Sequence, residues 1–108
     1  MRKIVAPILF LCLSSLPFLV GGCVLPPPPY EDYTMAGAAI QAAQDSDSPR
    51  YAPSLWDKAD ENYEKGKQAY KDADFDIAEK YFIVAKDYAE RAENATRLKK
   101  FATGESFP

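Results

Sequence analysis

The stretch from residue 75 to residue 102 limits the possible folds of this chain more than any other. Ile77, Tyr81, Val84 and Tyr88 form one bulky row, and Ala78, Phe82, Ala85, Ala89 and Ala92 form a second, mostly small row beside it. Those steps of three and four match a helix turning 100° per residue and not a strand of period two. Together the rows span roughly 160°, wider than one helix contact requires, so this helix is expected to touch two neighbours. Asp74 is placed to cap its start. Asp76–Lys80, Asp87–Arg91 and Glu93–Arg97 are spaced to support its wet side. Lys99 and Lys100 suit its C-terminal end, and Gly104 suits its stop. Residues 105–108 are expected to form a flexible tail.

Two further helices precede it. Pro53 sits well in the first turn of a helix over about 53–72. In this segment Leu55, Ala59, Tyr63, Gly66, Tyr70 and Ala73 share one stripe, with Trp56 beside it. Asp57, Asp60, Glu61 and Glu64 lie on its polar side, and Glu61–Lys65 is a well-oriented ion pair. Thr34 is a plausible cap for an alanine-rich helix over about 34–45, built on Ala36, Gly37, Ala38, Ala39, Ile40, Ala42 and Ala43. Residues 45–49 read as a loop. No strand signal stands out, since Ile83-Val84 lies inside a helical pattern. The expected fold is all-α: a short Ala-rich helix packed on a long α-hairpin, a three-helix arrangement over 34–103.

The N-terminus is a different kind of segment. Arg2 and Lys3 precede an apolar run from Ile4 to Val20, followed by Gly21, Gly22 and Cys23. The run is broken by Pro7 and Pro17, lacks basic residues after it, and is too short for the about 20 residues that span a bilayer. Val20-Gly21-Gly22-Cys23 resembles the lipobox of bacterial lipoproteins. That resemblance implies a signal peptide over 1–22, recognition through Val20, Gly21 and Gly22, cleavage before Cys23, and a lipid on the Cys23 thiol. Cys12 would leave with the peptide. At about 0.8 kcal/mol per buried methylene, two or more acyl chains hold firmly where one does not. Val24, rather than Asp, resembles the sorting pattern of enterobacterial lipoproteins bound for the outer membrane, facing the periplasm. Val24 to Tyr33, with four consecutive prolines, reads as a polyproline spacer on the order of 30 Å long.

Removal of residues 1–22 from the 108 leaves 86, enough for one small domain. Loss of Arg2 and Lys3 leaves 11 of the 13 basic residues against 16 acidic ones, and moves the net charge from −3 to −5. With no basic patch, nucleic acid is disfavoured as a partner, and anchoring falls to the lipid rather than to surface charge. The chain has no histidine, and its one remaining cysteine would be a thioether, so neither a disulfide within the chain nor a Cys/His zinc site is expected. There is no GxSxG elbow and no Gly-rich phosphate loop. A carboxylate pair for glycoside cleavage needs a cleft and one desolvated carboxyl, which a thin hairpin does not supply. Asp45 and Asp47 lack EF-hand spacing. No catalytic residue, cofactor or metal is expected.

Gly66, Tyr70, Asp74, Phe75, Ala78, Phe82 and Ala85 match the offsets of a single tetratricopeptide repeat, which implies close helix approach at the small residues with Phe75 and Phe82 in the junction. Asn62, Lys65 and Glu90 depart from that pattern, and one repeat makes no solenoid. Ala39-Ile40-Gln41-Ala42-Ala43, Tyr51-Ala52-Pro53, and Ala59, Ala78, Ala85, Ala89 and Ala92 around Asp74 resemble a family of α-helical bacterial envelope lipoproteins of unknown function. Some members carry this domain ahead of an OmpA-like peptidoglycan-binding domain, for which this sequence has no room. The expected function is that of a non-enzymatic helical adaptor or accessory subunit in a periplasmic or outer-membrane assembly. The alternative is a factor acting on or binding peptidoglycan. Tyr63, Tyr70, Tyr81 and Tyr88 stand at core spacing, whereas Tyr30, Tyr33 and Tyr51 lie in or beside loops, where exposed aromatics mark protein contacts. Trp56 and Tyr81 are the candidate interface residues. The expected partners are the membrane, through the lipid on Cys23, and either an unidentified envelope protein or a second copy of the chain.

Overall fold

The computed structural model describes residues 21–22 and 25–104. The residues of the expected signal peptide up to Val20, the attachment residue Cys23, Val24 and the tail 105–108 lie outside them. Among the described residues the fold is all-α: α1 Tyr30–Asp45, α2 Ser48–Tyr51, α3 Pro53–Lys71 and α4 Phe75–Thr103. Helix α4 is the spine. α3 folds back along it as a hairpin, and α1 packs on its other side, with lesser contact between α1 and α3. The expected pair of neighbours for this helix is therefore present.

Helix α1 starts four residues earlier than the expected position 34. Pro28 and Pro29 lead straight into it: the Tyr30 N–H donates to the Pro28 carbonyl (2.8 Å) and the Tyr33 N–H to the Pro29 carbonyl (3.0 Å). Glu31 and Asp32 favour the positive end of the helix dipole. Thr34 is consequently not a cap. Its hydroxyl bonds back to the Tyr30 carbonyl at 2.7 Å, as a mid-helix threonine does. The earlier start shortens the spacer and carries Tyr33 out of the expected loop and into the core. There Tyr33 stacks on Phe82, with centroids 4.9 Å apart, and lies 5.2 Å from the ring of Tyr70.

The core is built largely of alanine. Ala36, Ala43, Ala59, Ala78, Ala85, Ala89 and Ala92 are all fully buried, and Phe82 is the largest side chain fully enclosed. Small residues let the helix axes approach towards the lower end of the usual 8–10 Å separation. The closest point is Gly66, where an added Cβ would lie 2.7 Å from the Phe82 ring. Gly37 plays a similar part, with a Cβ there meeting the Tyr63 hydroxyl at 3.0 Å.

Helix α3 closes in a Schellman arrangement: the Asp74 N–H donates to the Ala69 carbonyl (2.9 Å) and the Ala73 N–H to that of Tyr70 (3.2 Å). The residue in the left-handed position is Ala73, with φ of 61°. Asp74 occupies the expected cap position of α4 but makes no side-chain cap bond, and Gly104 ends α4 with φ of 76°.

Two substitutions test this geometry in opposite directions. Ala73→Gly is expected to raise stability by about 0.5–1 kcal/mol, because glycine reaches the left-handed region without a Cβ penalty. Gly66→Ala is expected to lower it by about 1–3 kcal/mol by overpacking against Phe82. Urea unfolding followed by far-UV circular dichroism measures both.

Candidate interaction surface

The two rows read from the sequence of α4 have separate fates. The small row, Ala78, Phe82, Ala85, Ala89 and Ala92, is completely buried, and Thr96 continues it. The bulky row sits on the shoulder. Ile77 is 49 % exposed and Val84 39 %, while Tyr81 and Tyr88 are half-buried at the edge of α3. Lysines of α3 reach across this edge. Lys65 Nζ lies 6.0 Å from the centre of the Tyr81 ring, and Lys58 Nζ lies 5.5 Å from that of Tyr88. Arg91 approaches Tyr88 from the same helix at 5.2 Å. Such contacts occupy a ring face while leaving its edge exposed.

Of the two candidate interface residues, Trp56 packs on a second cluster, Ala43, Ala59 and Ala89, together with Ile40 and Tyr88. It is half-buried and braces the start of α3. Tyr81 lies on the uncovered row. The two are therefore at different levels of the hairpin, linked by Tyr88. Among the lipobox residues, Gly21 and Gly22 are described. Both are exposed in irregular chain, with open space around them. Residues Val20 and Cys23 lie outside the described part.

The acidic side of α3 is solvated. Asp57, Asp60, Glu61 and Glu64 are exposed, and Lys65 and Lys67 lie 2.6 Å from Glu61 and Glu64 respectively. The hydrogen bond from Lys65, reinforced by its charge, holds the Glu61 carboxyl below the usual carboxylate range. This is opposite to the shift a general acid requires. Burial, and then neighbouring Tyr33, push the Tyr63 phenol upward, which keeps it protonated within the aromatic cluster. Asp45 accepts from Gln41 at 2.8 Å, and Asp47, at φ of 70°, faces Arg50 at 3.8 Å. Among the described residues no group of three acidic, His or Cys side chains is arranged to hold a metal ion.

The segment 45–49, read from sequence only as a loop, contains a buried hydroxyl chain. Ser46 Oγ donates to the Ala43 carbonyl at 2.8 Å and lies 2.9 Å from Ser48 Oγ. Thr96 Oγ1 lies 3.0 Å from Ser48 Oγ and 2.8 Å from the Ala92 carbonyl. Ser48 and Thr96 are wholly enclosed, and this chain fastens the α1–α2 link to α4. Lys99 adds a bond to the Tyr51 carbonyl, and Arg50 and Lys100 flank the Tyr51 ring at 5.3 and 5.2 Å. Tyr51 is thus held within this end of the bundle. Its only sequence cue was Thr96 at the next step of the small row.

The assembly of α1, α3 and α4 coincides with a recognised unit, since the model of DUF4398, a domain of unknown function, matches residues 31–102. The chain belongs to this family. The family match begins one residue after the start of α1 and ends one residue before the end of α4, so the helix start at Tyr30 and the domain edge agree. No curated protein and no solved structure matches the chain. In this DUF4398 domain the shoulder of α4 leaves Ile77, Val84 and Leu98 exposed along one helix, and the hydroxyl chain holds the buried polar side chains Ser48 and Thr96.

Thr96→Val keeps the side-chain shape and removes the link to Ser48. Loss of that bond is expected to cost about 1–2 kcal/mol. Denaturant unfolding would read the loss, with the midpoint falling and the slope unchanged.

Proposed function

We propose that this DUF4398 protein is a lipid-anchored component of the bacterial cell envelope whose helical body acts as a non-enzymatic adaptor or accessory subunit, at the outer membrane and facing the periplasm. The observation that carries the reading is the order of segments along the chain. A charged and then apolar leader runs into Val20-Gly21-Gly22-Cys23, the two glycines are exposed and open to a peptidase, and a short proline segment leads into the helices. No described helix is long and apolar enough to cross a membrane, so an acyl group on Cys23 is a suitable means of attachment. The adaptor role is supported by the half-exposed row on α4, where aromatic and aliphatic side chains stand side by side on a rigid helix. Close approach at Gly66 and Phe82 supports the finer likeness of the α3–α4 hairpin to a single tetratricopeptide-type unit, a scaffold suited to holding other proteins.

Replacing the sulfur tests the attachment. Cys23→Ser is expected to abolish incorporation of labelled palmitate, leave the precursor uncut and release the protein from the membrane fraction. Unchanged maturation and sedimentation would overturn the reading. In the native chain, photo-crosslinkers at Trp56 and Tyr81 are expected to trap a discrete protein species in cells, and silence at both positions counts against an adaptor.

A further inference from the structure

The uncovered row of α4 does not stop at Tyr88. Steps of four and three continue it through Arg91, Ala95, Leu98 and Ala102, so that Ile77, Tyr81, Val84, Tyr88, Arg91, Ala95, Leu98 and Ala102 form one heptad seam along almost the whole helix. Leu98 is 71 % exposed, well above Ile77 and Val84. The described helices border only one edge of this seam: α3 lies beside Tyr81 and Tyr88, its first residues flank Ala95, and α1 lies on the opposite flank, while Ile77, Val84 and Leu98 stay exposed.

We infer that the seam is covered by the same seam of a second copy of this chain, with the two α4 helices antiparallel. The choice of occupant rests on how the eight side chains pair with themselves. Antiparallel alignment about a point between Tyr88 and Arg91 sets Ile77 against Ala102, Tyr81 against Leu98, Val84 against Ala95, and Tyr88 against Arg91. In three of these pairs a larger residue meets a smaller one, and in the fourth a guanidinium meets a tyrosine ring, the contact Arg91 already makes at 5.2 Å within its own helix. Parallel alignment sets Arg91 against Arg91 and each tyrosine against itself. That leaves two like charges facing one another, and it crowds tyrosine on tyrosine towards one end while leaving alanine on alanine towards the other.

The surface shape agrees with this register. Beside Ala95 lies an open hollow of about 330 Å³ lined by Ala52, Pro53, Ser54, Leu55, Ala95 and Lys99. It is the place at which the isopropyl group of Val84 from the second copy arrives. Pro26 lines a hollow with residues 73–77 at the other end of α4, so the two N-terminal tethers leave the pair at opposite ends.

Disulfide trapping in membranes distinguishes the registers. Two tagged full-length versions are co-expressed, one Val84→Cys and the other Ala95→Cys, and mild oxidant is added. The unsubstituted chain is the control for Cys12 and Cys23. A mixed 84–95 dimer is expected, with no 84–84 dimer, because those two positions would lie about 16 Å apart along the axis at 1.5 Å per residue. Val84→Glu, at a site already 39 % exposed, is expected to yield only monomer by sedimentation in detergent with its circular dichroism unchanged. An 84–84 dimer overturns the antiparallel pairing. Crosslinks confined to other proteins, or none at all, overturn self-association, and neither result bears on whether Cys23 carries lipid.

Discussion

The ring of Phe82 resting on the bare backbone of Gly66 is the contact around which this small bundle is arranged. With no Cβ at position 66, α3 lies close enough to α4 for a single aromatic ring to be fully enclosed between them. The rest of the packing follows from that separation. At such short range only alanines fit along the remaining interface, which is why Ala59, Ala78, Ala85 and Ala89 are buried while larger neighbours one residue away are not. Tyr33 then caps the arrangement by stacking on the same ring, and Tyr63 and Tyr70 close in around it at 5.9 and 6.5 Å. Four aromatic rings thus supply apolar area that alanines cannot, each pair adding about 0.5–1.5 kcal/mol beyond simple burial.

A close-packed alanine interface explains why polar fastening matters at the other end of the bundle. Methyl groups bury little area, and each buried carbon is worth only about 0.8 kcal/mol. Around Ser48 no aromatic cluster is available to do what Phe82 does. The chain of hydroxyls from Ala43 to Ser46, Ser48 and Thr96 instead locks the turn, and no described side chain is left with a buried, unpartnered nitrogen or oxygen. The left-handed backbone at Asp47 is the local strain accepted for that turn.

Much of this was legible from residue spacing. The two long helices, the hairpin between them, the cap position at Asp74 and the stop at Gly104 follow from periodicity and from local backbone rules. The start of α1 did not, because four prolines signal an extended spacer and Thr34 is a good cap residue. What decides the matter is tertiary: the hairpin offers Tyr33 a ring to stack on, and burying it favours one more turn of helix. Nor does spacing say which of two adjacent rows on α4 faces inward. Side-chain bulk points to Ile77, Tyr81, Val84 and Tyr88, yet the glycine at 66 lies on another helix and selects the small row. Of the candidate interface pair, Tyr81 stands on the shoulder this selection leaves exposed, while the indole of Trp56 is shared with the core.

Among Ile77, Val84 and Leu98 on that shoulder, exposure is lowest at Val84 and highest at Leu98. A heptad repeat slips by about 20° per seven residues on a straight helix, so from Ile77 to Leu98 the outer row turns roughly 60° about the axis of α4. Leu98 lies near the level at which α3 begins, and it is the most exposed large side chain of the row. The inner row slips by the same angle, but it stays covered because α2 and the serine turn move in over Thr96 as α3 comes to its first residue. Nothing described in the chain plays that part for the outer row. A helix laid along it has to cross α4 at about 20°, the angle at which left-handed pairs keep a seam in contact. The uncovered row is thus a consequence of packing a long helix through its small side chains, and the tighter that packing is, the more completely the large ones are left outside.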